Sequence, residues 1–505
     1  MIVDGQQRVT TLYLSVMAAV EVAARAGEHE WASDIMGRYL LVRPMSGLSV
    51  NTKLVPSFND RAQFTALWKR IAEIKNFSSN KIVASNPPRP PVPSGKAEGL
   101  MSAQYNRIRA DLNKLMRDHG LAALEQRVEV VATRLSVVSI SLRDPTVAPK
   151  IFERLNYGAE PVTVADLVRN EVFARSGDDP KTALHLFDSR WEPFVGRFAD
   201  KNSDLDRFLF PYGLMHNPNV KKAELFGALR KWWDQFNPEQ IINDLEQYQP
   251  AYLALTSGID YQPHPAAIRL RVNRIYRSGR PSSIYPFLLK VLRSFEVERV
   301  SEANACAILD AVESFLFRRA ILGIEPTGLH AVFKSLWQEL IGDVQSGTVD
   351  KLVTAKRTRD IISSKPTISW PKDEEFRAAI ETGDLYRRKI ANYALREYEL
   401  SLKGESPLDE HQIEHIAPQS PTEGWKKVIP EGYEKLVHTW GNLLPLTPTM
   451  NPSAGQSEFT IKRQAYADSI FASAREVAKA KVWDAKAIQR RSKAIADWAL
   501  KRWPY

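Results

Sequence analysis

LDEHQIEHIAPQ at residues 408–419, followed by WGNLLPLTPTMN at residues 440–451, decides how this chain is read. LDEHQIEHI reads as a short strand, and Pro418 stops it just past Glu414-His415, so the pair stands at a strand end where the backbone is free to turn. After an insert containing Gly424, Pro430 and Gly432, GNLLPL reads as the return strand. Asn451-Pro452 then opens a turn into a helix predicted from near Ser457, with Ser457 or Gln456 as its cap, through FTIKRQAYADSIFASARE. Two strands and a helix around one polar cluster is the expected frame.

The residue types on that frame point to a chemistry. His415 is the expected general base, Glu414 and Asn451 are expected oxygen ligands of a cation, and Asn442 is expected to fix the returning strand relative to the base. A phosphodiester resists attack until water is deprotonated and charge on the leaving oxygen is offset, and a ββα-metal nuclease supplies both functions with this set. Carboxylate and amide oxygens favour Mg²⁺ or Mn²⁺ over zinc. His411 lies four residues before His415, yet no His-Glu-x-x-His pattern is present and the stretch reads as strand, which argues against a helical zinc pair. The bland reading, a buried hydrogen-bonded histidine beside a loop, suits a lone histidine better than this ordered set.

At these residues the chain resembles the C-terminal His-Asn-Asn, HNH-like nuclease domain of the GmrSD-type, modification-dependent restriction enzymes. The matching positions are Glu414-His415-Ile416 with Pro418, Gly441-Asn442-Leu443 with Leu446, then Asn451, and Phe459 with Lys462 and Tyr466. Together they are specific, although each piece alone is weak.

A second resemblance to the same family lies at the other end. VDGQQRVTTLYLSVMAAVEVA looks like the DGQQR motif and following helix of the family's ParB/sulfiredoxin-like nucleotide-hydrolysing domain. Asp4-Gly5 allows a tight turn, and Gln6, Gln7 and Arg8 would then meet a phosphate at a helix N-terminus. A polar turn of this size more often merely starts a helix. IFERLNYGAEPVTVADLVRNEVF, residues 151–173, resembles the family's next motif and adds Asn156 to the expected nucleotide-binding residues, with Thr163 as a helix cap. The resemblance implies further residues ahead of DGQQR, so the N-terminal domain is expected here in truncated form, or with its true start upstream of Met1.

The expected fold class is α+β and mostly helical: a partial ParB/sulfiredoxin-like domain over residues 1–175, a helical bundle over 176–400, and the HNH-like nuclease domain over 401–505. Residues 84–99 are rich in proline and glycine and read as a surface insertion. VEVVATRLSVVSISL, residues 128–142, reads as a strand returning to the N-terminal sheet. From about residue 180, LFGALRKWWDQF, IYPFLLKVLRSF, ACAILDAVESFLFRRAIL and LHAVFKSLWQELIGDV carry helical apolar spacing.

Composition agrees without deciding. With 505 residues the chain can bury more than one core, and a net charge of +10 suits an anionic partner, because lysine and arginine on phosphates release counterions. Lys462 and Arg463 are the expected DNA contacts; the basic residues from Arg475 to Lys493 read mostly as a solvated helix surface, and the aromatic tail WALKRWPY as packing against the bundle. One cysteine, Cys306, fits a reducing compartment, and with no apolar run long enough to span a bilayer the expectation is a soluble cytoplasmic protein.

Three readings stand at this point. The resemblance implies a nucleotide-regulated endonuclease or nickase, acting on modified phage DNA in defence and open to homo-oligomer formation, with Mg²⁺ or Mn²⁺ and a nucleoside triphosphate as cofactors. The second is the same nuclease with a dead nucleotide site and an N-terminal DNA-sensing or docking module. The third is a nonenzymatic DNA-binding protein, against which Glu414, His415, Asn442 and Asn451 argue.

Overall fold

The computed structural model describes residues 6–42, 51–54, 56, 60–75, 77, 99–136, 163–176, 182, 185–279, 281–342, 348–402, 411–447 and 457–505. These are mostly helical with a few short strands, in keeping with an α+β, mostly helical class. Among them no helix is long and apolar enough to cross a membrane. The chain divides into two compact units, Met1–Asn202 with Gln235–Ile242, and Ser203–Asp234 with Asn243–Tyr505.

The first unit is organised by the Gln6–Arg25 helix, whose apolar positions Met17, Ala18, Val20 and Ala23 are wholly buried. They pack with the Arg61–Ala72 and Leu100–Thr133 helices around Phe64, Trp68 and Tyr105. Inside this core the Glu21 carboxylate accepts from Tyr105 Oη at 2.7 Å, Arg25 Nε at 2.9 Å and Arg109 Nη1 at 3.1 Å. Burial opposes its ionisation, yet these partners and Arg70 hold its carboxyl below the ordinary value. A two-residue antiparallel pairing of β1 (Leu41–Val42) with β2 (Asn51–Thr52) is the strand content among this unit's described residues.

The strand expected from residue 128 is helical through Thr133. The Leu100–Thr133 helix runs through it, with Leu124 and Val128 buried and Val131 packed on the same core. That i, i+4, i+7 series aligns one helical face with the Gln6–Arg25 helix, and such packing outweighs the β preference of branched residues. The helix is interrupted at Gly120, where φ is +71°, a conformation that favours glycine. Residues 137–142 lie outside the described set, as does the 84–99 stretch apart from Gly99. Thr163 does cap its helix: its Oγ1 accepts from the Asp166 amide at 3.1 Å, opening Val164–Ala174.

The second unit is built on the Glu302–Leu322 helix, capped by Ser301 and ended by Gly323 at φ +71°. Phe317 and Ile321 of this helix share a core with Phe376, Tyr393, Trp440, Leu443 and Trp503, so the strands that carry the site are seated directly on the bundle. The aromatic tail closes that core as expected. Trp503 stacks on Phe317 at 3.6 Å between ring centres, its carbonyl accepts from Arg318 Nε at 2.8 Å, and its indole donates to Glu313 at 2.8 Å.

Candidate active site

β3 (Gln412–His415) pairs antiparallel with β4 (Leu443–Leu446), with Glu414 opposite Leu444 and His415 opposite Leu443. The strand, return strand and following helix expected from the sequence are present, but the helix expected to run on through Glu476 ends at Ala467 and a separate helix covers Ala472–Ala478. The helix covers Phe459–Ala467; its N-cap residue is Glu458, one place beyond the expected Ser457. Ser457 serves instead as acceptor, its carbonyl taking the Trp425 indole N–H at 3.0 Å. Because residues 412–415 are strand, no helical turn brings His411 and His415 together.

Alternation along β3 sends Glu414 to the face covered by the Phe459–Ala467 helix. Lys462 and Tyr466, four residues apart on that helix, meet it there: Glu414 Oε1 accepts from Lys462 Nζ at 2.7 Å and from Tyr466 Oη at 2.8 Å. Lys462 Nζ also donates to the His415 carbonyl at 2.8 Å. Burial pushes the Glu414 carboxyl up and the Lys462 ammonium down, and each partner pulls the other back toward its charged form. Lys462, expected as a DNA contact, is 0% exposed and fastens the helix to β3 through Glu414 and the His415 carbonyl, away from the surface where a phosphate would lie. Arg463 is exposed, with its Nε donating to the Ala478 carbonyl at 3.0 Å.

Asn442 is likewise fully enclosed, and all its polar capacity is used. Its Oδ1 accepts from the Ala417 amide at 2.8 Å and the Trp483 indole at 3.1 Å, while its Nδ2 donates to the carbonyls of Ala417 at 2.9 Å and Val437 at 2.8 Å. The Ile416 amide donates to the Asn442 carbonyl at 3.0 Å. Asn442 therefore pins the turn that leaves β3 to the segment that enters β4. The Trp440–Asn442 turn is pressed on the Ala485–Arg502 helix, where Arg491 Nη1 donates to the carbonyls of Gly441 and Leu443, both at 2.8 Å.

His415 stands at the end of β3, 5% exposed. Its Nε2 lies 3.1 Å from His438 Nδ1 and its Nδ1 lies 3.3 Å from Gln419 Nε2. The Tyr386 ring meets His415 edge to face at 4.4 Å and stacks on His438 at 5.3 Å. Burial, with His438 and Lys462 adding positive potential, lowers the His415 pKa to about 4, so the imidazole is neutral near pH 7.

His438, Tyr386 and Gln419 were not singled out from the sequence. One signal for His438 was available: antiparallel pairing of GNLLPL with QIEH carries the residues just before Gly441 back past the end of β3, where His415 stands. Tyr386 carries no such sign, because it reaches the site through tertiary packing.

Asn451, Asp4, Gly5 and Asn156 lie outside the described residues. Gln6, Gln7 and Arg8 form the first turn of the Gln6–Arg25 helix, with Gln7 and Arg8 exposed. Among the described residues no group of three or more His, Cys, Asp or Glu side chains is placed to hold a metal ion. Lys486, Arg490 and Lys493 are exposed on the Ala485–Arg502 helix, on the side opposite Ile488 and Ser492, which touch the Trp440–Asn442 turn.

A buried histidine at a strand end, a neighbouring asparagine that locks the return loop, and a covering helix that pairs a lysine with the adjacent carboxylate make up a strand-strand-helix site. The family described as GmrSD restriction endonucleases, C-terminal domain, matches residues 370–498, and GmrSD restriction endonuclease, N-terminal domain, matches residues 1–173. The two matches cover more than half of the sequence, and the chain belongs to the GmrSD restriction endonucleases. Its class of substrate is accordingly DNA, and its class of reaction is hydrolysis. A comparison with individually curated proteins finds no match.

Proposed function

We propose that this chain cuts DNA at the His415 site, with His415 as the general base of an HNH-like nuclease. The observation that carries the reading is the His415 imidazole itself, held neutral near pH 7 by burial and fixed at the end of β3 by the Asn442-pinned turn. In the proposed step a water oxygen bonds to phosphorus, the phosphorus–oxygen bond to the leaving strand breaks, and the water proton passes to His415.

Mg²⁺ or Mn²⁺ is implied by the family resemblance, with Glu414 and Asn451 as ligands. The described residues do not fit such a site, because the Glu414 carboxylate already accepts from the Lys462 ammonium and Tyr466 hydroxyl. Cleavage abolished by EDTA would assign the cation to groups beyond these, Asn451 among them; cleavage that survives EDTA would remove metal dependence.

Direction toward modified DNA, and regulation by a nucleoside triphosphate bound at Asp4 to Arg8 with Asn156 in a ParB-like domain, belong to the same proposal and rest on the sequence motifs. Arg8→Ala then lowers nucleotide binding while leaving His415-dependent cleavage chemistry in place. For the nuclease itself the deciding variant is His415→Ala. It should keep DNA binding and lose cleavage by about 10²-fold or more, the usual cost of removing a general base. Equal rates for variant and parent would exclude His415 from the reaction.

A further inference from the structure

A second histidine, His438, faces His415. His438 sits between the Tyr433–Leu436 helix and the Trp440–Asn442 turn, and its Nδ1 is 3.1 Å from His415 Nε2. Whereas His415 is buried, His438 is half-buried. Its position is set from several sides. Its carbonyl accepts from the Leu385 amide at 3.0 Å and the Tyr386 amide at 3.3 Å, the preceding Val437 carbonyl is held by Asn442, and the Tyr386 ring lies parallel to its imidazole within 10°.

Where two imidazoles face each other through Nε2 and Nδ1, one proton lies between the two nitrogens, and the rest of the site decides which ring carries it. The group against His415 Nδ1 is the Gln419 amide nitrogen, at 3.3 Å. An amide nitrogen only donates, so Nδ1 accepts, and the single proton of neutral His415 is on Nε2. His415 then donates to His438 Nδ1, and the His438 proton is on its own Nε2. The outcome is an imidazole whose basic lone pair is at Nδ1, aimed where Gln419 now places a donor and where an attacking water would place its own O–H.

We propose that His438 is a positioning residue for His415: it accepts the Nε2 proton, fixes the tautomer that leaves Nδ1 basic, and holds the imidazolium once Nδ1 has taken the water proton. This rests on the reading of His415 as the general base. The balance is simple. The water O–H bond breaks, its proton goes to Nδ1, and the Nε2 proton stays on His415 in a bond that becomes charge-assisted. A buried carboxylate performs the corresponding task for the histidine of a serine-protease triad, where losing the correct tautomer costs on the order of 10⁴-fold. A neutral acceptor gives less, so about 10- to 10²-fold is expected here.

The test pairs kinetics with a measurement that does not depend on turnover. His438→Ala should lower kcat by about 10- to 10²-fold with KM for DNA unchanged, and His438→Asn, whose side-chain oxygen can take the place of Nδ1, should recover most of that loss. In the full-length protein labelled with ¹⁵N-histidine, long-range ¹H–¹⁵N spectra should show His415 protonated on Nε2 in the parent and in His438→Asn, and a mixture of tautomers in His438→Ala. Any of three results overturns the proposal: His438→Ala cutting as fast as the parent while His415→Ala is inactive, His415 protonated on Nδ1 in the parent, or added Mn²⁺ coordinated by both imidazoles. If instead the parent cuts DNA without needing His415, the general-base reading fails, and the spectra still decide which tautomer His438 enforces.

Discussion

Lys462 Nζ lies 2.7 Å from Glu414 Oε1, with the lysine side chain 0% and the glutamate side chain 5% exposed, so the buried carboxylate next to His415 is paired with an ammonium from the covering helix. The same ammonium holds the His415 carbonyl, which makes one side chain responsible for the carboxylate, the strand end and the helix.

Removing one member of such a pair leaves the other charge buried and alone. Lys462→Met should therefore destabilise the protein by roughly 3–5 kcal/mol, and Glu414→Leu by a similar amount, while the double variant should recover a large part of either loss. Urea denaturation of the three variants measures this coupling. Losses that simply add in the double variant would show that the two groups do not depend on each other.

Strand, return strand and covering helix were legible because each is local: Pro418 ends one strand, Gly441-Asn442 opens the other, and Phe459, Lys462 and Tyr466 recur at helical spacing. His415 and Asn442 were legible for the same reason. What Lys462 does was not, since a lysine in the first turn of a helix looks exposed until the helix is docked on Glu414. Residues 128–133 were misleading in the opposite sense: β-branched composition is a local signal, and the partner that makes them helical is the distant Gln6–Arg25 helix.

The neutral state of His415 carries a pH dependence. Its pKa falls from 6.5 to about 4 on folding, so the unfolded chain takes up a proton that the folded site refuses. The associated stability is fully present above pH 6.5 and is lost as the pH drops through the folded value near 4, for a total of roughly 3 kcal/mol. His415→Asn should lack this component. Denaturation curves for parent and variant, taken on both sides of pH 6.5, should diverge in slope; parallel curves would mean that His415 is protonated as easily in the folded protein as in the unfolded one.

Asn442 offers a sharper separation of structure from chemistry. Asn442→Ala strands the Ala417 amide, the Trp483 indole and two carbonyls without water to replace their partner, and each buried unsatisfied group costs about 1–3 kcal/mol. Asn442→Asp keeps both acceptor bonds and loses both donated ones. Aspartate also sets a buried oxygen against the Ala417 and Val437 carbonyls, so both variants should be less stable than the parent, with cleavage falling in parallel because His415 is positioned by the same turn. An alanine variant as stable as the parent would show that the turn is held by other contacts.

The turn's tolerance can be tested one residue earlier. A Cβ on Gly441 would lie 2.3 Å from Ser492 Oγ and 2.5 Å from the Ile488 carbonyl oxygen, well inside van der Waals contact. The serine hydroxyl belongs to a side chain and can be removed, but the carbonyl is helix backbone and cannot yield without moving the Ala485–Arg502 helix or the turn itself. Moving the turn shifts Asn442, and with it Ala417 and the loop that follows His415. Gly441→Ala should therefore cost roughly 1–3 kcal/mol and lower kcat as well, as expected for overpacking at a close backbone approach. Ser492→Ala alone should be milder, since the Ser492 Oγ makes no hydrogen bond. Combining it with Gly441→Ala should rescue little, because the carbonyl clash remains. Full rescue by Ser492→Ala would locate the constraint in the serine side chain and free the helix backbone from any part in holding the site.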